Sequence, residues 1–123
     1  MKAPIAFALS ALLAGLAGCT PKVVAPTDRG VCFMVVPNGD KYRFDRLASA
    51  VPDLEHCAAE MEKTRTGLNR LGATTGDMIG SYQGRFLFRT DYGYSTSTSF
   101  DGNRYPFMVP YNGKLVVPGA VPQ

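Results

Sequence analysis

The chain has 123 residues, 46% of them hydrophobic and 19% charged, with a net charge of +3 and three cysteines. That length holds one small domain with a modest core. So weak a positive excess is not a nucleic-acid footprint, and nucleic acid is not an expected partner.

Met1-Lys2 gives a short positive start, followed by Ile5, Ala6, Phe7, Ala8 and Leu9, then by residues 11–17, nearly all apolar. One cation, about a dozen apolar residues and then small residues is the build of a secretory signal peptide. A membrane-spanning helix needs about 20 apolar residues. This run stops short at Thr20-Pro21-Lys22, and Pro4 and Ser10 interrupt it. Its end, Leu16-Ala17-Gly18-Cys19, resembles the lipobox of bacterial lipoproteins at every position. The resemblance implies that residues 1–18 are removed, that the Cys19 sulfur is acylated, and that the new amino terminus is acylated too. Small residues at 17 and 18 suit a narrow peptidase cleft, and the thiol supplies the nucleophile for lipid transfer. One acyl chain binds a membrane marginally, and two or more bind it stably. An ordinary secretory leader with an incidental cysteine is the competing reading. In Gram-negative lipoproteins an Asp after the lipidated Cys marks inner-membrane retention. Thr20 stands there in this chain. The resemblance therefore implies a lipid anchor in the outer membrane, with the domain facing the periplasm. Cleavage leaves 105 residues and, with Lys2 gone, a net charge of +2.

With Cys19 assigned to lipid, Cys32 and Cys57 remain. An oxidising compartment favours a bridge between them. It closes a loop of about 24 intervening residues, worth roughly 3 kcal/mol on the chain-entropy account. Two free buried cysteines are the alternative. A metal site is disfavoured, because the nearest further soft ligand, His56, is adjacent to Cys57, and neighbours on a helix point apart. Residues 20–30 hold two prolines and no hydrophobic period. With Cys19 they read as a flexible tether, about 30 Å long if extended.

Residues 31–36 are a β-branched apolar run, ended by Pro37-Asn38-Gly39-Asp40, and 41–45 alternate with Tyr42 and Phe44 on one face. Asn-Gly between such runs predicts a hairpin. Residues 46–51 read as transitional, with a short helical turn. Pro52 suits a first helical position, and Leu54, Cys57, Ala58, Met61, Thr64, Leu68 and Leu71 recur at three- and four-residue steps. They predict an amphipathic helix over about 52–71, closed by Gly72, with Glu55, Glu60, Glu62, Lys63 and Arg70 on its wet face. From Met78 the period returns to two. One strand is expected to run to about Thr90, a second from Ser95 to Phe100 after a turn at Asp91-Tyr92-Gly93, and a last pair over 105–109 and 114–117 across Asn112-Gly113. Leu87 breaks the alternation, and Phe86 and Phe88 are expected under the helix.

The fold class is α+β: an antiparallel sheet of about six strands built from hairpins, with one long helix packed on one face. Residues 31–118 form the single domain and 119–123 a disordered tail. Tyr92, Tyr94, Arg85 and Arg89 are the candidate binding surface, the tyrosines at a turn and the arginines on a solvated face. His56 with Asp53 and Ser49 or Ser81 has no triad spacing, and no phosphate-binding glycine loop or calcium loop is present in the sequence. No metal and no cofactor is expected. The expected function is a non-enzymatic accessory or assembly subunit, anchored to the lipid membrane through Cys19 and docking an envelope protein. The alternative is a module for envelope glycan or lipopolysaccharide, bound by the tyrosines and arginines.

Overall fold

The computed structural model describes residues 22–73 and 76–120; the expected leader 1–18, the expected lipid site Cys19, Thr20 and the last three residues of the expected tail lie outside the described residues. Among the described residues the elements are β1 (Cys32–Asn38), β2 (Lys41–Ala48), α1 (Leu54–Arg70), β3 (Ile79–Tyr82), β4 (Arg85–Thr90), β5 (Gly93–Ser97), β6 (Tyr105–Tyr111) and β7 (Lys114–Val116). A 3-10 turn, Pro118–Ala120, follows and takes in the first two residues of the expected tail. The strands form one antiparallel sheet in the order β2-β1-β3-β4-β5-β6-β7, with α1 packed against it. The architecture is α+β.

The sheet has one strand more than the sequence suggests, because Gln83 and Gly84 both take positive φ (45° and 84°). They turn the chain so that Tyr82 pairs with Arg85, and the single run expected to Thr90 becomes the β3–β4 hairpin. Gln83 carries no ordinary turn signal. Its side-chain oxygen is instead held by the Gly30 N–H at 2.8 Å. In the β1–β2 hairpin the two central residues are Gly39 and Asp40, since Asn38 pairs with Lys41. Only Gly39 has positive φ (68°), which is the mirror turn with glycine first. Residues 46–48, part of the stretch expected to hold a helical turn, extend β2; Arg46 and Ala48 pair with β1 across a register shift at Leu47.

Asp53, not Pro52, sets the start of α1. Its carboxylate accepts the His56 N–H at 2.8 Å, which satisfies an orphan donor of the first turn. At the other end Gly72 takes φ 81°, its N–H donates to Asn69, and the Ala73 N–H donates to Leu68. That double closure ends helices where only glycine is unstrained. Cys57, Ala58 and Met61 are buried, whereas Leu68 and Leu71 are exposed (Leu71 84%). The predicted apolar stripe is thus covered over its first half only.

Cys32 and Cys57 form a disulfide, both fully buried, that joins β1 to the first half of α1. Around it pack Val51, Ala58, Met61, Tyr82, Leu87, Tyr94 and Met108. Leu87 is the residue that faces the helix. Phe86 and Phe88 point to the opposite face, where they form a second cluster with Ala25, Val35 and the flanking Val23, Phe44, Ile79 and Phe100. The expectation of Phe86 and Phe88 under α1 is therefore reversed, for a plain reason: both sheet faces are apolar, so the larger side chains need not mark the helix side.

The second face is covered by the chain's own N-terminal segment. Ala25 is buried, the Pro26 carbonyl accepts the Gly84 N–H at 2.9 Å, and the Gly30 carbonyl accepts the Val51 N–H at 2.8 Å. Residues expected to be a free spacer are docked from Val23 onward. Phe100 completes the cover. Strand β5 ends at Ser97, and the bend that follows sets the Phe100 ring 5.5 Å from Phe86 and 6.1 Å from Phe88. Arg104 lies over the Phe88 ring at 3.6 Å.

Two substitutions test this packing. Cys32→Ala with Cys57→Ala is expected to lower the unfolding free energy in urea by about 3 kcal/mol, and reduction of the wild type should reproduce the loss. Gly93→Ala is expected to cost more than a typical core change of about 1–3 kcal/mol. Its new Cβ would sit 2.2 Å from the Met108 carbonyl oxygen, at φ 122°.

Candidate functional site

Register brings the polar core of the molecule together. Arg89 on β4 and Tyr94 on β5 are Cα partners, and both side chains rise toward α1. Glu62, next to the buried Met61 and one turn beyond the buried Ala58, meets them. Its Oε2 accepts the Tyr94 hydroxyl at 2.9 Å and the Arg89 Nε at 3.3 Å. Its Oε1 accepts the Arg65 guanidinium from the next turn, with Nε at 2.9 Å. Burial pushes the Glu62 carboxyl up, but the Arg65 and Tyr94 hydrogen bonds and the two guanidinium charges outweigh it and hold the carboxyl below the usual carboxylate range. The Tyr94 phenol moves the other way: burial first, then the facing carboxylate, pushes it up. The tyrosine is therefore a fixed hydrogen-bond donor rather than an acid.

Beside this cluster an open groove of about 530 Å³ runs between α1 and the β6–β7 hairpin, lined among others by Lys63, Thr66, Arg70, Lys114 and Leu115. Lys63 lies 3.8 Å from Glu60. Arg70 and Lys114 make no ion pair among the described residues. With Glu62 already offset by two arginines, the groove is cationic over an apolar floor. Such a surface suits an anionic group. A second depression, about 770 Å³, lies by the docked N-terminal segment and includes Lys22, Val24, Asp40, Lys41, Tyr42 and Phe100.

The surface expected from Tyr92, Tyr94, Arg85 and Arg89 is not one surface. Tyr92 is 87% exposed at the β4–β5 turn, and Arg85 is exposed. Tyr94 is 1% exposed and Arg89 is largely enclosed, both bound to Glu62. The sequence missed Glu62 as their partner, having set it on the wet face of the helix; the signal was there only as a carboxylate one helical step from the buried Ala58 and Met61. His56 is exposed and bonded to Asp53 at 2.6 Å, while the Ser81 hydroxyl is fully buried with no hydrogen-bond partner among the described residues. No hydrogen bond joins His56 to Ser49 or Ser81 among the described residues. Among the described residues no three His, Cys, Asp or Glu side chains group to hold a metal. Comparison of the chain with protein-family models, with curated proteins and with solved structures finds no match.

The Glu62 cluster makes a pH prediction. A depressed carboxyl adds stability that is full above the ordinary carboxylate value of about 4.3 and is lost as pH falls through its lower folded value. The unfolding free energy of wild type minus that of Glu62→Gln, measured in urea, should be about 1–3 kcal/mol at neutral pH and shrink toward acid. Asp45, hydrogen-bonded by Arg43, and Asp53, hydrogen-bonded by His56, are also depressed, but both proteins share them, so the difference isolates Glu62. A difference that is flat with pH would show that the carboxylate charge adds nothing.

Proposed function

We propose that the chain is a lipid-anchored envelope protein, held to the outer membrane through acylated Cys19, whose periplasmic domain is a non-enzymatic accessory or assembly subunit for other envelope proteins. The observation that carries this reading is a pair of features: the lipobox-like Leu16-Ala17-Gly18-Cys19 and the Cys32–Cys57 disulfide. A bridge between two buried cysteines fits a protein that matures where thiols oxidise, outside the cytosol. It also leaves Cys19 as the odd cysteine, free for lipid. In this reading α1 is an amphipathic brace. Its buried Cys57, Ala58 and Met61 hold it to the sheet, and the half beyond them stays open beside the cationic groove.

Two surfaces offer themselves to a protein partner. Strand β2 is an eight-residue sheet edge with an outward row of unpaired backbone groups. Tyr92 projects alone from the β4–β5 turn, an aromatic with a polar tip, which is the usual chemistry of an interface anchor. The glycan or lipopolysaccharide reading retains Tyr92 and Arg85, while Tyr94 and Arg89 are committed to Glu62. It is the weaker of the two, because one ring and one separate arginine make no stacking platform.

The test is anchorage. Full-length protein expressed in a Gram-negative host should take up a palmitate analogue and sediment with outer membranes, and Cys19→Ala should abolish both. Label-free protein, or a Cys19→Ala variant that still fractionates with membranes, would refute the lipid anchor.

A further inference from the structure

The docked N-terminal segment fixes more than the core, because it sets how far the domain stands from its anchor. This inference rests on the lipid-anchor reading and goes beyond it. Val23 already packs against the Phe86 and Phe88 cluster, and Ala25 is buried there. Pro26 is then tied to the β3–β4 turn by the Gly84 N–H. Val23 lies only four positions beyond Cys19. Whatever conformation the three intervening residues take, four Cα-to-Cα steps span at most about 14 Å. A domain of this size has a radius of gyration of about 13 Å, so the tether is too short to let the domain turn freely over the bilayer. The headgroup zone itself accounts for several ångströms of that reach. One side of the domain must face lipid, and it is the side where Lys22 leaves the fold.

That side has a composition suited to the contact. Val24 is 74% exposed and Tyr42 37% exposed, with Lys22 and Lys41 beside them and the Phe100 ring 4.9 Å from Tyr42. Apolar and aromatic side chains flanked by lysines belong at a headgroup boundary. Asp40 and Asp101 lie in the same depression and offset the two lysines, so net charge is not what draws this face to lipid. Proximity and partitioning of Val24 and Tyr42 are. We infer that the face formed by Lys22, Val24, Lys41 and Tyr42 lies directly on the phospholipid surface into which Cys19 is acylated. The opposite side of the sheet, with α1 and its cationic groove, then faces the periplasm.

The chain contains no tryptophan, so one introduced residue is a clean reporter. Full-length acylated Val24→Trp would be extracted and reconstituted into vesicles of phosphatidylethanolamine and phosphatidylglycerol, with and without brominated acyl chains. Leu71→Trp, exposed at the end of α1 on the other side of the sheet, is the control. The emission of Val24→Trp should shift to the blue on reconstitution and lose intensity in the brominated vesicles, and Leu71→Trp should do neither. Tyr42→Trp is a second reporter on the same face and should behave as Val24→Trp does. Unshifted Val24→Trp and Tyr42→Trp, quenched no more than Leu71→Trp, would overturn the inference. So would equal quenching of all three, which would mean a domain with no preferred face. Palmitate labelling of the same preparations separates the two levels. Labelled protein with unquenched reporters leaves the anchor standing and removes the apposition, whereas unlabelled protein removes both.

Discussion

The sheet carries large apolar side chains on both faces, and α1 can cover only one of them. Phe86 and Phe88 are nearly inaccessible on the far side, with Val35, although α1 lies on the other face. Burying a side chain of that size is worth about 1.5–3 kcal/mol. Left open, the same face would be an apolar patch of the kind that soluble proteins rarely tolerate. The demand for a second cover therefore falls on the connecting segments, which would otherwise be peripheral. Residues 22–27 meet it from the N-terminal side, and Phe100 with Arg104 meets it from the β5–β6 connection. Much of what distinguishes this α+β fold from a generic one follows from that single constraint.

On the helix side the fastening is of two kinds. The Cys32–Cys57 bridge acts near the start of α1, within the main apolar cluster. Glu62 acts one to two turns later, beside Met61, the last buried residue of the helix, and the exposed run begins at Gly67. A buried carboxylate with one partner is a poor fastening, because desolvation offsets the attraction. Here it receives donors from Arg65, Arg89 and Tyr94, which occupy both oxygens. The cluster draws together α1, β4 and β5, so it fixes the helix azimuth at the end of its apolar contacts, next to Met61. Gly80 lets the helix sit close at the intervening turn: a Cβ there would lie 2.5 Å from the Met61 sulfur.

How legible this was in the sequence depended on whether a feature is local. The helix stop at Gly72, the Asn112-Gly113 hairpin and the pairing of Cys32 with Cys57 follow from residues within a few positions or from counting. The Gln83-Gly84 turn did not, since Gln83 is held in positive φ by Gly30, 53 residues away. The face of Leu87 was undecidable by alternation, because a strand covered on both sides alternates between two apolar sets and loses its polar marker. Arg89 and Glu62 look solvated in isolation for the same reason: ionic residues are exposed by default, and only the β4–β5 register puts Tyr94 and a carboxylate beside that arginine. The candidate surface Tyr92, Tyr94, Arg85 and Arg89 divided along that line. The two residues with tertiary partners went inside, and the two without stayed in solvent.

The same non-locality governs residues 20–30. Two prolines and no period describe a linker only if nothing nearby needs covering. Ala25 is small enough to lie flat on the phenylalanines, Val23 adds apolar area, and Pro26 costs no donor while its carbonyl satisfies the Gly84 N–H at the β3–β4 turn. Composition thus gives the segment no secondary structure of its own, as is seen over 22–30, and says nothing of whether it is bound. Binding it converts a tether into part of the fold. The length left over is then set by where the exposed apolar face begins, at Val23, rather than by where the domain's first strand begins, at Cys32. On the proposed lipid anchor at Cys19, a covering demand on one side of a sheet would become, through the few residues that remain, a constraint on orientation outside the molecule.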